Sequence, residues 1–318
     1  MNEFSIINKY FKPLSKKNSA ALKLNDDIFF DIKKGVALST DSYVQGIHFI
    51  KPEPKYFLKK ILRASLSDLY CKGIKPNFYF LSLSLNKSIV NHLWLKKFAN
   101  ILKKEQKKFN ISLAGGDTTY STKFSVTVTV LGYSKNRPIL RKGCCLKDDI
   151  YISGEVGDAF LGLNIIKKKY NFGKYNNFFK KKYHEPNLPF KIYPYLNKIA
   201  SSSIDVSDGL AQDLGHICEN SKFGATIDLN AIPLSTPCKN LVERKKIKVK
   251  NIFSNGDDYQ VLFTSNRRNR KKILKLSKKL SLKITRIGLI NKGRNIIFKH
   301  NSHIIKLNPS KMGFTHTF

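Results

Sequence analysis

Carboxylates are scarce in this chain: 22 Asp and Glu stand against 58 Lys and Arg in 318 residues, a formal net charge of +36. Cysteine is also sparse. Cys71, Cys144, Cys145, Cys218 and Cys238 form an odd set with one adjacent pair and no CxxC. That excludes a disulfide framework and a zinc site, and a reducing cytoplasm is expected. No uncharged apolar run is long enough to span a bilayer, which excludes a membrane-spanning class. The opening MNEFSIINKYFKPLSKK has no apolar block followed by a small-residue cleavage site, so no secretory signal is expected. There is no GxxxxGK[ST] loop and no GxGxxG fingerprint. No nucleophile stands beside a base, so a covalent intermediate has no support. RNA-recognition signatures, zinc-finger spacing, basic-plus-heptad patterns and fixed-period repeats are all missing.

What is present points to a globular protein. Apolar residues make up 42% of the chain, with 22 Phe and 14 Tyr, and the length suits two domains. The basic residues are spread along the whole chain, in FLKKILR, KKEQKKF, IIKKKY and NRRNRKKILKLSKK. This reads as compositional drift toward AT-rich codons, and nucleic acid is not the expected partner. The charge still favours polyphosphate ligands by long-range attraction.

Hydrophobic period separates strands from helices. FSVTVTV (124–130) alternates Phe124, Val126, Val128 and Val130 with Ser and Thr, the pattern of a half-buried strand. FYFLSLSL (78–85), VALST (36–40), DIYIS (149–153) and DYQVLFT (258–264) are further strands. KYFLKKILRASLSDLYCKG (55–73) and NHLWLKKFANILKKEQKKF (91–109) carry helical spacing, and DAFLGLNIIKKKY and SDGLAQDLGHICENS are later helices. The mixture predicts an α/β or α+β protein. RPILRKGCCLKDD (137–149) marks a boundary, giving domains 1–140 and 141–318. The stretch 168–190, polar, aromatic and basic, reads as a surface connection.

The few Asp residues cluster at element ends: NDD (25–27), Asp41 after VALST, Asp68 in LSDL, Asp117 in AGGDTT, Asp205 and Asp208 in IDVSDGL, Asp257 and Asp258 in NGDDYQ. Singly, each reads as a turn residue or helix cap. Six such clusters in an acid-poor chain favour a site for Mg²⁺ and phosphate, because a hard cation takes oxygen ligands and neighbouring carboxylates repel without one. The Gly pair of LAGGDTT reads as a tight turn or a close approach to ligand. GEVGDAFLGL is an anion cradle or a helix-entry turn.

In this order the motifs resemble those of the thiamine-monophosphate kinase family, within the aminoimidazole ribonucleotide synthetase superfamily. The resemblance runs along nearly the whole chain: NDD, STDSYVQGIHF, SLSDLYCKGIKP, GGDTT, IDVSDGLAQDLGHI, GATIDLNAIPLS, NGDDYQVLFT and GFTHTF. It implies a two-domain aminoimidazole ribonucleotide synthetase-like fold, with an N-terminal mixed-sheet domain that binds ATP and Mg²⁺ and dimerises, followed by a C-terminal α/β domain. It implies ATP- and Mg²⁺-dependent phosphorylation of thiamine monophosphate to thiamine diphosphate by direct in-line transfer, the last step of that biosynthesis. Asp27, Ser39, Thr40, Asp41, Asp68, Asp117, Asp205 and Asp208 are the implied metal ligands. Gly116, Asp117, Arg141 and Ser207 are implied to contact ATP. His48, Asp257 and Phe314 are implied to line the substrate pocket, and Asp213 is read as structural. A homodimer with packed N-terminal sheets is implied. The alternatives are another ATP-dependent enzyme of the superfamily, or a catalytically decayed basic nucleic-acid-binding protein. Asn25 and Asn255 stand where the family has Gly, Asp257 and Gln260 where it has Glu, and Phe314 where Trp or Tyr is usual. Asn at the two glycine positions is expected to tolerate a left-handed turn.

Overall fold

The structure, a computed structural model, describes residues 2–301, 303–305, 313, 314 and 316. Twelve strands form two sheets among these residues. The first contains β1 (Phe29–Asp31), β2 (Val36–Val44), β3 (Pro76–Leu85), β4 (Ser112–Tyr120) and β5 (Ser125–Tyr133) in the order β1-β2-β5-β3-β4. It is mixed: β3 and β4 run parallel, and the other pairs are antiparallel. The second contains β6 (Asp149–Ser153), β7 (Ser202–Asp205), β8 (Gly224–Asp228), β9 (Val261–Ser265), β10 (Ile284–Asn291), β11 (Ile296–His300) and β12 (His303–Ile305) in the order β12-β11-β8-β10-β6-β9-β7. Its parallel pair is β8 and β11. The helices are α1 (Glu3–Ile6), α2 (Leu58–Cys71), α3 (His92–Phe109), α4 (Asp158–Ile166), α5 (Asn176–His184), α6 (Tyr193–Leu196), α7 (Leu210–Ser221), α8 (Thr236–Glu243), α9 (Val249–Phe253) and α10 (Arg270–Leu280). The architecture is the expected mixed α/β one. No described helix is long and apolar enough to cross a membrane.

The periodic segments fold as their pattern dictates. In β5, Val126, Val128 and Val130 are buried between half-exposed Thr neighbours. Each contributes about 1.5–3 kcal/mol of apolar burial. Asn91 caps α3 through its side chain, and Asn110 ends the helix in the left-handed conformation. β9 begins at Val261, later than the pattern suggested, because Asp257 (φ 72°) and Tyr259 (φ 50°) leave extended backbone.

One expectation fails, and one of two open readings drops out. The segment 168–190 is no surface connection: it contains α5, whose Phe179 and Tyr183 are buried at 0% and 2% exposure. GGDTT is no tight turn: it lies inside β4, whose nine residues are all exposed. Gly116 is required there, since a Cβ would sit 1.9 Å from the Leu81 carbonyl oxygen of the neighbouring strand.

Helix α2 joins the two halves. Twelve of its 14 residues are buried. It packs on β2 and β5 of the first sheet, and on β7, α5 and α6 of the second half. Burial on all sides forces its polar residues to find partners. Arg63 makes a two-pronged pair with Glu105 of α3, at 2.7 and 2.8 Å, and donates to the Pro186 carbonyl at 3.0 Å. Removing one partner of a buried pair strands the other charge. Glu105→Ala is therefore expected to cost about 3–5 kcal/mol in urea unfolding. The double variant Arg63→Met, Glu105→Leu is expected to lose less than Glu105→Ala alone.

Candidate active site

Four sequence-separated segments deliver carboxyl or hydroxyl groups to one region between the halves. Asp26 and Asp27 precede β1, Ser39 and Asp41 project from β2, Asp68 from α2, Asp205 ends β7, and Asp208 lies in the turn entering α7. Hydroxyls hold the carboxylates. Ser39 Oγ donates to Asp68 Oδ2 at 2.5 Å, the Tyr43 hydroxyl donates to Asp41 Oδ2 at 3.3 Å, and Ser67 Oγ donates to Asp205 Oδ2. Gln212 Nε2 donates to Asp208 Oδ2 at 3.0 Å.

Two cations sit at one end. The fully buried Lys72 Nζ lies 2.8 Å from Asp26 Oδ1 and 2.7 Å from Asp27 Oδ2, and donates to the Ser203 carbonyl at 2.8 Å. Arg141 pairs with Asp27 through Nη2 and Nε, while its backbone N–H donates to Asp26 Oδ2 at 2.8 Å. Burial alone would raise the Asp27 carboxyl, but Arg141 and Lys72 override it and hold it well below the ordinary range. Among the described residues, Asp41, Asp68, Asp205 and Asp208 have no such cationic partner. Burial pushes Asp41 up to about 6. Burial, with the negative charge of Asp27 next, pushes Asp205 up to about 7. Burial and then Asp205 push Asp208 up to about 7. Asp68 is raised well above its usual value by burial, then by Asp41, Asp205 and Asp27.

This donor set fits a hard divalent cation. Ligand atoms of Asp27, Cys71 and Asp205 lie within 4.8 Å of one another, as do those of Asp208, Asp213 and His216. The buried Cys71 thiol is raised well above its ordinary value by desolvation, so the oxygens are the ligands that suit Mg²⁺. Asp213 also accepts from the Gly209 N–H at 3.1 Å and so braces the α7 entry.

Of the residues implied as metal ligands, Asp27, Ser39, Asp41, Asp68, Asp205 and Asp208 converge. The side chains of Thr40 and Asp117 do not, nor does Gly116, implied as an ATP contact. Strand alternation turns Thr40 to the opposite face of β2, where its hydroxyl meets Thr129 Oγ1 at 2.9 Å. Only its backbone carbonyl can face the cluster. Asp117 lies on the far edge strand, and the register Asp41–Val128–Leu81–Gly116 puts three strand spacings, about 14 Å, between that edge and the cluster. Ser207 adjoins the cluster and presents its carbonyl to the Asp257 N–H at 2.9 Å. Gly256 must be glycine here, because a Cβ would lie 1.8 Å from that carbonyl oxygen.

The three implied substrate residues gather beside Asp208. His48 accepts at Nδ1 from the Val44 N–H at 3.0 Å. Its ring centroid lies 5.3 Å from that of His316, which lies 4.9 Å from that of Phe314. The Phe314 N–H donates to the Asp208 carbonyl at 3.3 Å. Asp257 Oδ1 accepts from the Tyr259 hydroxyl at 2.9 Å. Thr315, Thr317 and Phe318 of GFTHTF lie outside the described residues. Next to Arg141 and Asp26, a cavity of about 1070 Å³ opens between the N-terminal segment and α7.

The left-handed turns expected at Asn25 and Asn255 are absent. Asn25 has φ −108°, and Asn255 is not among the residues with positive φ. Asp257 and Tyr259 take that conformation instead, an uncommon one for a bulky side chain. The sequence reading missed Asp26, Lys60, Lys72 and His216. His216 is kept neutral by burial and then by Arg141, its pKa lowered to about 4, and its Nε2 has no hydrogen-bond partner among the described residues.

Residues 18–134 match the family model of the AIR synthase related protein, N-terminal domain. The thiamine-monophosphate kinase of Buchnera aphidicola subsp. Schizaphis graminum (strain Sg) is 38% identical over 328 residues, covering 99% of this chain and 98% of its own. That of Haemophilus influenzae is 33% identical over 298 residues, covering 92% and 90%. Among solved structures, AaThiL complexed with AMPPCP and TMP aligns with a TM-score of 0.84 at 24% identity, covering 99% of this chain and 97% of that chain, which is a likeness of fold. With more than a third of its positions identical to such a relative from end to end, the chain belongs to the thiamine-monophosphate kinase family.

Proposed function

We propose that this chain transfers the γ-phosphoryl group of ATP to thiamine monophosphate, giving thiamine diphosphate and ADP. The observation that carries the reading is the set of Asp carboxyls on separate elements, raised by burial and mutual repulsion, beside Lys72 and Arg141. Such a set is suited to cations that arrive with a polyphosphate. The substrate is supported by the names of the relatives, and by the AMPPCP and TMP in the AaThiL complex.

Asp27, Ser39, Asp41, Asp68, Asp205 and Asp208 would hold Mg²⁺, with Thr40 through its carbonyl. When bound, Mg²⁺ neutralises phosphate charge and orients the reacting groups. Arg141 offers a planar cationic fork to the nucleotide phosphates, and Lys72, paired with Asp26 and Asp27, helps keep Asp27 ionised. The turn 205–209 spans the two ends, with Asp205 and Asp208 at the nucleotide side and the Ser207 carbonyl bracing Asp257. The cavity beside Arg141 has room for the nucleoside. No side chain forms a covalent intermediate in this reading, so positioning and electrostatics supply the rate.

The domains are proposed as 1–140 and 141–318, and the working form as a homodimer in the cytoplasm. The fully exposed edge strand β4 supports the dimer. A second copy's β4 alongside the β1–β2 edge would carry its Gly116 and Asp117 toward the cluster.

Chromatography of a mixture with ATP, Mg²⁺ and thiamine monophosphate is expected to show thiamine diphosphate and ADP. Thiamine or an aminoimidazole precursor in its place should yield nothing. ATP binding without any product would overturn the substrate half of the reading. Asp208→Asn is expected to lower turnover by more than about 100-fold with an unchanged circular dichroism spectrum. Wild-type rates in that variant would remove Asp208 from the site.

The raised carboxyls also fix a pH trend. A carboxyl with a folded pKa above its unfolded value stabilises the fold below the unfolded value, and that contribution is lost as pH rises through the folded value. For Asp41, Asp205 and Asp208 the window runs from 3.8 to about 6 or 7. Without divalent cations, Tm is expected to fall between pH 5 and pH 8. Added Mg²⁺ should restore it at pH 8 and have little effect at pH 5. A Tm that ignores Mg²⁺ at pH 8 would contradict a cation site there.

A further inference from the structure

Lys60 lies on α2, 4% exposed, with its ammonium group at the junction of three segments. Nζ is 2.8 Å from Asp257 Oδ1, donates to the His48 carbonyl at 3.2 Å, and stands 4.0 Å from the centroid of the Tyr183 ring. The Tyr183 hydroxyl donates to the same His48 carbonyl at 3.1 Å. His48 follows β2, Tyr183 belongs to α5, and Asp257 precedes β9. One buried cation therefore ties the first half of the chain to the second at the place where His48 and Asp257 meet.

We infer that Lys60 is a positioning residue for the phosphate-acceptor substrate, acting through Asp257 and His48. The inference rests on the proposed function. Asp257 Oδ1 takes two donors, Lys60 and the Tyr259 hydroxyl, and among the described residues nothing donates to Oδ2, which can meet a ligand. Asp257 is one methylene shorter than the Glu usual in the family, so the clamp fixes where its remaining oxygen can reach. The same ammonium group fixes the backbone at His48 and hence the direction of the imidazole. A neutral residue at 60 would leave Asp257 half-buried without its cation and release the His48 carbonyl, so both contacts to an acceptor would loosen together. The nucleotide end, held by Lys72 and Arg141, does not touch Lys60 in any of these contacts.

The test compares Lys60→Met, Lys60→Arg and Asp257→Asn with the wild type in steady-state kinetics, varying each substrate in turn. Lys60→Met is expected to raise KM for thiamine monophosphate by roughly 10- to 100-fold, as is usual for loss of an outer positioning partner. KM for ATP should change by less than about twofold. Lys60→Arg should recover most of the loss, because it keeps the cation. In the double variant Lys60→Met, Asp257→Asn the KM effects should be far from additive, since both remove the same contact. Equal changes in both KM values, or a fall in Tm with unchanged KM values, would make Lys60 merely structural and overturn the inference. If Lys60→Met does not fold, Lys60→Gln and Asp257→Asn carry the test: a KM for thiamine monophosphate indifferent to both overturns it. A wild type that neither turns over nor binds thiamine monophosphate would instead sink the proposed function, and this inference with it.

Discussion

Carboxylates gathered away from water repel one another, and much of this molecule follows from managing that repulsion. Lys72 and Arg141 neutralise Asp26 and Asp27 at one end of the cluster. Among the described residues, Asp41, Asp68, Asp205 and Asp208 have hydroxyl and side-chain amide donors but no such cation. Burial raises their pKa values first, and the neighbouring carboxylates raise them further. The fold holds the arrangement because Asp41, Asp68 and Asp205 ride on separate elements packed into a core, and Asp27 and Asp208 sit in short turns next to such elements. A more adaptable loop would let the charges spread and lose the site.

Helix α2 is the element on which the others depend. Lys60, Arg63, Ser67, Asp68 and Lys72 occur along it, or one residue past its end, at intervals near a helical turn, and each reaches a partner in another segment. At 1.5 Å per residue, Lys60 and Lys72 stand about 18 Å apart along the axis. The helix thus sets the separation between the Asp257 end and the Asp27 end, with Asp68 between them. A polar helix buried on all sides is stable only when its partners are in place, which ties folding of the two halves to formation of the site.

The legible parts were those with a local physical signal. Strand β5 and helices α2 and α3 announced themselves by period, and the carboxylates by their rarity. The face of Thr40 was also open to reading, since β2 alternates and its neighbours 39 and 41 point inward. Lys60 and Lys72 were not legible. One lysine among 58 basic residues carries no signal, and both partner with residues far away in sequence. GGDTT stayed open between a turn and a close approach because glycine pairs serve both, and here Gly116 lets neighbouring strands approach. Segment 168–190 was misread because its charges are on its exposed face and its aromatics are inside. Strands β8, β10 and β11 lie in short stretches whose pairing is decided by tertiary contacts.

The departures from the family pattern are absorbed by the structure in different ways. Gln260 lies buried: Ser153 donates to its Oε1 at 3.0 Å, and its Nε2 donates to the Asn187 and Asp258 carbonyls. A charge there would have needed a cation, and the amide satisfies the same space without one. Asn25 and Asn255 avoid the left-handed region, so the loss of Gly at those positions costs little. Asp257 is different. It keeps its charge, shortens its reach, and takes a left-handed backbone with a lysine and a tyrosine hydroxyl on one oxygen. Of these departures it is the one whose effect is carried by other residues, which is why Lys60 and Tyr259 matter more here than their positions in the sequence suggest.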